Sequence, residues 1–173
     1  GDLGVELPLE RVPVAQKELI KAANRAGVPV ITATQMLDSM ERNPRPTRAE
    51  TTDVANAILD GTDAVMLSGE TSVGKYPFEA VRVMKRIAQQ VEDSRFNRSR
   101  DLSKVSALSA PDLAVARAAC RAVQELDKPL VIFTWSGRTA ILASKARLRV
   151  PIFALTPNQQ VCDRLSLVRG VTA

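Results

Sequence analysis

The sequence predicts a chain of the α/β class: successive βα units of a parallel barrel, followed by part of a separate α/β domain with a mainly parallel sheet. Three observations carry this. Short β-branched or aliphatic runs at 28–32, 64–67, 130–133 and 152–155 alternate with longer stretches whose apolar residues recur at helical spacing. The first two runs break into hydroxyls, a carboxylate or an amide, as strands do where the loops of a parallel barrel converge on one mouth. A charged stretch from Glu92 to Asp101 then separates the two series and marks a border, giving residues 1–94 and 95–173.

In chain order, Gly1 to Glu6 is short and punctuated by glycine. A helix follows over 13–26, with Ala15, Leu19, Ala22 and Ala26 on one face and Gly27 as its C-cap. Val28 to Thr32 is apolar and too short for a helix, which predicts a buried strand. A short helical piece comes after Met36, then the turn-rich Asn43-Pro44-Arg45-Pro46. Thr47-Arg48-Ala49-Glu50 has the pattern of a capping box, and its helix carries Thr51, Val54, Ala55 and Ile58 inward before stopping at Gly61. Ala64 to Leu67 is the next strand. Pro77 opens a helix with Val81, Met84, Ala88 and Val91 on its apolar face. In the second series Asp112 is placed as an N-cap, ahead of a helix facing inward with Leu113, Ala116, Cys120 and Val123. Leu130 to Phe133 and Ile152 to Leu155 are strands, each followed by a helix start, at Ser136-Gly137-Arg138-Thr139 and at Pro157-Asn158.

Composition sets limits on function. With 173 residues and 45% hydrophobic content, the chain has enough apolar material for a sizeable core in one or two domains. Its longest apolar runs fall short of the roughly 20 residues of a membrane span. It opens on a glycine without an initiator methionine or leader, and it stops within an apparent strand at Gly170 to Ala173, so a piece of something longer is expected. Two cysteines and no histidine give neither an ordinary zinc site nor a disulfide framework, and they point to a reducing, cytoplasmic setting. Without histidine, an imidazole general base cannot be built from these residues. The net charge of +5 is scattered and the aromatics are few, which argues against nucleic acid as partner.

Four constellations could carry chemistry. Gly1-Asp2-Leu3-Gly4 sets a carboxylate between glycines, suited either to an Asx-turn or N-cap or to a hard divalent cation. Thr32, Thr34 and Gln35 follow a strand directly and could cap the next helix or bind a carboxylate or phosphate. Ser68-Gly69-Glu70-Thr71 places a hydroxyl and a carboxylate beside glycine; proton transfer through water and helix capping are both natural there. Thr134, Ser136, Gly137, Arg138 and Thr139 form a hydroxyl-rich helix start with an arginine, a possible phosphate cradle or simple capping. The first three read as successive strand ends facing one phosphate and one metal.

Taken together, Gly1-Asp2-Leu3-Gly4-Val5-Glu6, Ile31 to Leu37, Asn43 to Glu50, Asp53-Val54-Ala55-Asn56-Ala57 and Met66 to Thr71 resemble pyruvate kinase, in the same order along the chain. The resemblance covers the whole chain, as the later part of a TIM (β/α)8 barrel plus the first part of the C-terminal α/β domain. It implies phosphoryl transfer from phosphoenolpyruvate to ADP, giving pyruvate and ATP, with Mg²⁺ (or Mn²⁺) and usually K⁺. Asp2 then matches a metal-ligating carboxylate, and the backbone of Gly1 and Asp2 matches the site of the substrate carboxylate. Thr34 matches the threonine beside the substrate, while Ser68 and Glu70 match residues near the proton path to the enolate. The Asn43 to Glu50 segment implies subunit contact in a homotetramer. Thr134 to Thr139 resembles a sugar-phosphate effector loop, with Trp135 where other members can carry a charged residue.

The family's transition-state lysine, first metal-ligating glutamate, K⁺ ligands and nucleotide-capping domain would lie before Gly1, so these residues alone are expected to be inactive. A noncatalytic phosphate-binding or regulatory module is the competing reading. Another phosphoenolpyruvate-handling barrel is disfavoured by the Pro-Arg-Pro-Thr-Arg-Ala-Glu run and the Ser-Gly-Glu-Thr loop.

Overall fold

The structure, a computed structural model, describes residues 2–97, 99–100, 102, 105 and 110–173, with Ala110 and Asp112 described by backbone alone. It divides into two compact units, Gly1–Lys21 with Val30–Asn97, and Ala22–Pro29 with Arg98–Ala173.

The first unit begins with helix α1 (Leu3–Glu6), a 3₁₀ turn at Leu9–Arg11 and helix α2 (Val12–Arg25), whose last residues belong to the second unit. Strand β1 (Ile31–Ala33) leads through a 3₁₀ turn at Asp38–Glu41 to α3 (Arg48–Asp60), then to β2 (Ala64–Met66), the short α4 (Gly69–Ser72) and α5 (Pro77–Glu92). β1 and β2 are parallel, with Ile31, Thr32 and Ala33 opposite Ala64, Val65 and Met66. Their register is fixed at the base by two side chains. The buried Thr62 hydroxyl accepts from the Thr32 amide and donates toward carbonyls of Val30 and Ala64, and Asp63 accepts from the Val30 amide. Leu37, Met40, Val54, Ala57, Ala80 and Met84 form the core between these strands and helices.

The capping box at Thr47 forms as expected: the Thr47 hydroxyl accepts from the Glu50 amide, and the Glu50 carboxylate accepts from the Thr47 amide. Gly61 closes α3 in the left-handed region at φ 116°. Three expectations are corrected. β1 starts at Ile31 rather than Val28 and is half-exposed rather than buried, because a two-strand sheet leaves part of each strand uncovered. In α2 the buried residue is Ile20, while Leu19 faces solvent. In α5 Ala80 and Val83 turn inward and Val81 outward. Periodicity identifies a stripe, but adjacent apolar residues leave its rotation open by one position.

The second unit contains α6 (Ala110–Leu126), β3 (Leu130–Phe133), α7 (Arg138–Lys145), β4 (Ile152–Leu155), α8 (Gln159–Leu165) and β5 (Val171–Thr172). Its sheet is parallel throughout, in the order β3-β4-β5. Leu130, Ile132, Ile152 and Ala154 alternate onto the core with Ala116, Cys120, Ala140 and Leu165. α6 starts at Ala110, so Asp112 lies inside the helix instead of capping it. Lys145 is buried and donates from Nζ to the Val28 carbonyl at 2.8 Å, which ties α7 to the Ala22–Pro29 segment of the same unit. Burial pushes the Cys120 thiol up to about 11, so this cysteine behaves as an inert core side chain.

Candidate functional site

Because β1 and β2 are parallel, their C-terminal ends open on the same side of the first unit. The turn after β1 is unusual. Thr34 and Gln35 both occupy the left-handed region, at φ 71° and 54°. This is disfavoured for any residue with a Cβ and most of all for a β-branched one. The Thr34 hydroxyl donates to the Ala33 carbonyl at 2.6 Å, and the residue is exposed at the strand end. Thr32, by contrast, points to the strand base, where its hydroxyl meets that of Thr62 at 3.1 Å. Of the two threonines only Thr34 faces the open side.

Downstream of the turn the chain is anchored firmly. Met36 and Leu37 are buried, and the Leu37 amide donates to Glu70 Oε1 at 2.9 Å. The other oxygen of the same carboxylate accepts from the Ser68 amide at 2.7 Å. Glu70, 2% exposed, therefore joins the loop after β1 to the loop after β2. Ser68 occupies the N-cap position of α4, but its side chain makes no capping bond. Capping is therefore not what the Ser68 hydroxyl does, although Thr71 does donate to the Ser68 carbonyl. Glycine at 74 is required by close approach to backbone, whereas at 69 the neighbour is the movable end of the Glu41 side chain. A Cβ on Gly69 would lie 1.7 Å from Glu41 Oε1, and one on Gly74 would lie 2.6 Å from the Glu70 carbonyl oxygen and 3.1 Å from Glu41 Cα. The Lys75 amide donates to the Glu41 carbonyl at 2.8 Å, so the Asp38–Glu41 turn seats directly on the Ser68 loop.

Asp2 stands at the N-cap of α1, exposed, and its carboxylate makes no capping bond. No strand precedes it among the described residues, and Gly1 lies outside them. An uncommitted carboxylate suits a hard cation that takes one or two protein oxygens and completes its shell from substrate and water. Among the described residues no three His, Cys, Asp or Glu side chains converge as a metal cage.

The hydroxyl-rich turn of the second unit is built on Gly137, which sits at the N-cap of α7 with φ 77°. The Thr134 hydroxyl accepts from the Gly137 amide at 3.0 Å, and the Arg164 guanidinium donates to the Ser136 carbonyl. A Cβ at Gly137 would press on Val161 at 3.0 Å and Leu165 at 3.3 Å, so conformation and packing both demand glycine. Arg138 and Thr139 form the first turn of α7 and are exposed, as are Ser136 and Trp135.

The family model for the pyruvate kinase barrel domain matches residues 1–81, and that for the pyruvate kinase alpha/beta domain matches residues 113–173. The chain belongs to the pyruvate kinase family. It is 54% identical to pyruvate kinase 2 of Synechocystis sp. over 99% of its length, and 55% identical to the pyruvate kinase of Bacillus licheniformis over all of it. It spans 29% and 30% of those two proteins. Among solved structures, a pyruvate kinase from Cryptosporidium parvum superposes with a TM-score of 0.90 at 44% identity, with 99% of this chain and 35% of that one covered. The first unit holds most of the residues matched by the barrel model, and the second holds those matched by the alpha/beta model together with Ala22–Pro29 of the barrel match.

Within that frame, the structure brings Thr34, Ser68 and Glu70 together at neighbouring strand ends. Three features of these strands and their loops have little signature in the sequence. The left-handed pair at Thr34 and Gln35 contradicts local preference, and the Thr62–Asp63 clamp depends on a partner 30 residues away or more. The seating of Glu41 on Gly69 and Gly74 could have been suspected only from the glycines themselves.

Proposed function

We propose that the complete protein containing this chain transfers the phosphoryl group of phosphoenolpyruvate to ADP, forming ATP and an enolate that is protonated to pyruvate. The observation that supports this most is the pairing of the two loops. One carboxylate joins the strand end that presents Thr34 to the strand end that presents Ser68. Phosphoryl transfer asks chiefly for positioning and charge neutralisation, and a rigid pair of loops serves the first.

In this reading the backbone of Gly1 and Asp2 receives the substrate carboxylate, and Asp2 supplies one oxygen ligand to Mg²⁺ or Mn²⁺. When bound, the divalent ion offsets charge on the transferred group. Thr34 stands beside the substrate, where its hydroxyl can orient the reacting carbon and pass a proton. Ser68 lies on the adjacent loop on the way to the enolate. K⁺ is the expected monovalent cofactor.

The turn from Thr134 to Thr139, with Arg138 and Arg164 close by, is the proposed seat of a sugar-phosphate effector. The exposed Asn43 to Glu50 segment is the proposed subunit contact of a homotetramer in the cytoplasm. Production of pyruvate by the complete protein, followed through NADH consumption by added lactate dehydrogenase, tests the central claim. ADP-dependent turnover is expected from the complete protein, and none from the 173-residue chain. Turnover independent of ADP, or absent from the complete protein, would overturn the assignment.

A further inference from the structure

We propose that Glu70 is a positioning residue: it locks the turn after β1 to the turn after β2, and so sets where the Thr34 hydroxyl stands. The proposal rests on the phosphoryl-transfer reading for its functional consequence, but its geometry stands independently. Two consecutive left-handed residues, one of them β-branched, persist only where their surroundings over-determine them. Upstream, Ala33 is held opposite Met66 by the β1–β2 ladder. Downstream, Met36 and Leu37 are buried, and the Leu37 amide is fixed by Glu70 Oε1 at 2.9 Å. Thr34 and Gln35 are the short span between these two anchors.

The second carboxylate oxygen, on the Ser68 amide at 2.7 Å, makes the anchor common to both loops. Charge-assisted bonds to two backbone amides offset the cost of burying this side chain. They also limit what it can do. Each oxygen accepts from the amide of a different loop, which fixes the side chain between the two. Glu70 therefore acts by holding the loops that carry Thr34 and Ser68.

The complete protein is the material for the test. In Glu70→Gln the side-chain amide sets an N–H donor against one of the two backbone donors. Glu70→Asp keeps the charge but falls one methylene short of spanning both loops. Each is expected to lower kcat about 100-fold, the effect of a small misplacement. KM for phosphoenolpyruvate should stay within about threefold and the pH–rate profile should keep its shape. Combined with Thr34→Ala, either change should cost little more than Thr34→Ala alone, because both act through the same hydroxyl.

Full activity in Glu70→Asp, multiplicative losses in the double variant, or a pH limb that disappears in Glu70→Gln would overturn the proposal. One measurement needs no variant at all. The Leu37 and Ser68 amides of the parent protein should exchange with deuterium no faster than the core amides of α3; loop-like exchange at either refutes the clamp. A parent protein without phosphoenolpyruvate turnover defeats the phosphoryl-transfer reading, and amide exchange then decides the clamp by itself.

Discussion

Thr34 is held at φ 71°, a conformation that costs about 1–3 kcal/mol for a residue with a branched Cβ. Glycine would adopt it without strain, and in the proposed function the threonine is kept for its hydroxyl. In the complete protein Thr34→Ala should lower turnover about 100-fold, within the range for loss of a positioned proton-transfer group. Thr34→Gly should lose activity likewise while melting at a higher temperature, because it relieves the strain. Normal kinetics in either variant would remove Thr34 from the site. Asp2 can be separated from it by a metal readout. Asp2→Ala should raise the Mg²⁺ concentration for half-maximal rate about tenfold and weaken Mn²⁺ binding measured by electron paramagnetic resonance. Unchanged Mn²⁺ affinity would exclude it as a ligand.

Among the elements, α3 shows how a cap can hold more than its own helix. Glu50 accepts from the amide and hydroxyl of Thr47 and also from the amide and hydroxyl of Ser39, at 2.6–2.8 Å. It fastens the 3₁₀ turn at Asp38–Glu41 to the start of α3. Partial burial would raise its carboxyl pKa, but the bonds from Ser39 and Thr47 outweigh this and hold it below the ordinary 4.5. A depressed folded-state value means that the stabilisation is complete above 4.5 and is lost as pH falls through the lower folded-state value. Glu50→Ala should therefore cost about 1–2 kcal/mol near neutral pH. The gap in melting temperature between parent and variant should close on acidification below 4.5. A gap that persists in acid would show that packing, not the carboxylate, is responsible.

At the scale of the whole molecule, the sheet of the second unit is covered on one face only. Val131, Phe133, Phe153 and Leu155 alternate outward and are exposed, with Phe133 at 83%. Parallel sheets are ordinarily covered on both faces, and a contiguous apolar patch with open strand edges promotes association. The 173-residue chain by itself should therefore sediment as a mixture of oligomers at micromolar concentration. Val131→Lys with Phe133→Lys should move it toward monomer. A strictly monomeric parent chain would show that this face is innocuous.

What the sequence by itself determined was the order of elements and the motifs at their ends. Runs such as Leu130 to Phe133 and Ile152 to Leu155 are short, β-branched or aliphatic, and bounded by turn residues, so their strands are legible locally. The capping box at Thr47 and the glycine stop at Gly61 are equally local, and the ordered motifs around Thr34 and Ser68 identify the family. Only the tertiary structure decided which way α2 and α5 face and how little of β1 is buried. It also decided what Glu70 touches. A Ser-Gly-Glu-Thr run shows a carboxylate beside a hydroxyl. That both its oxygens would be taken by backbone amides, one of them 33 residues away at Leu37, depends on the packing that buries it. The turn at Thr34 follows the same logic, since its backbone opposes local preference and is imposed by the anchors on either side.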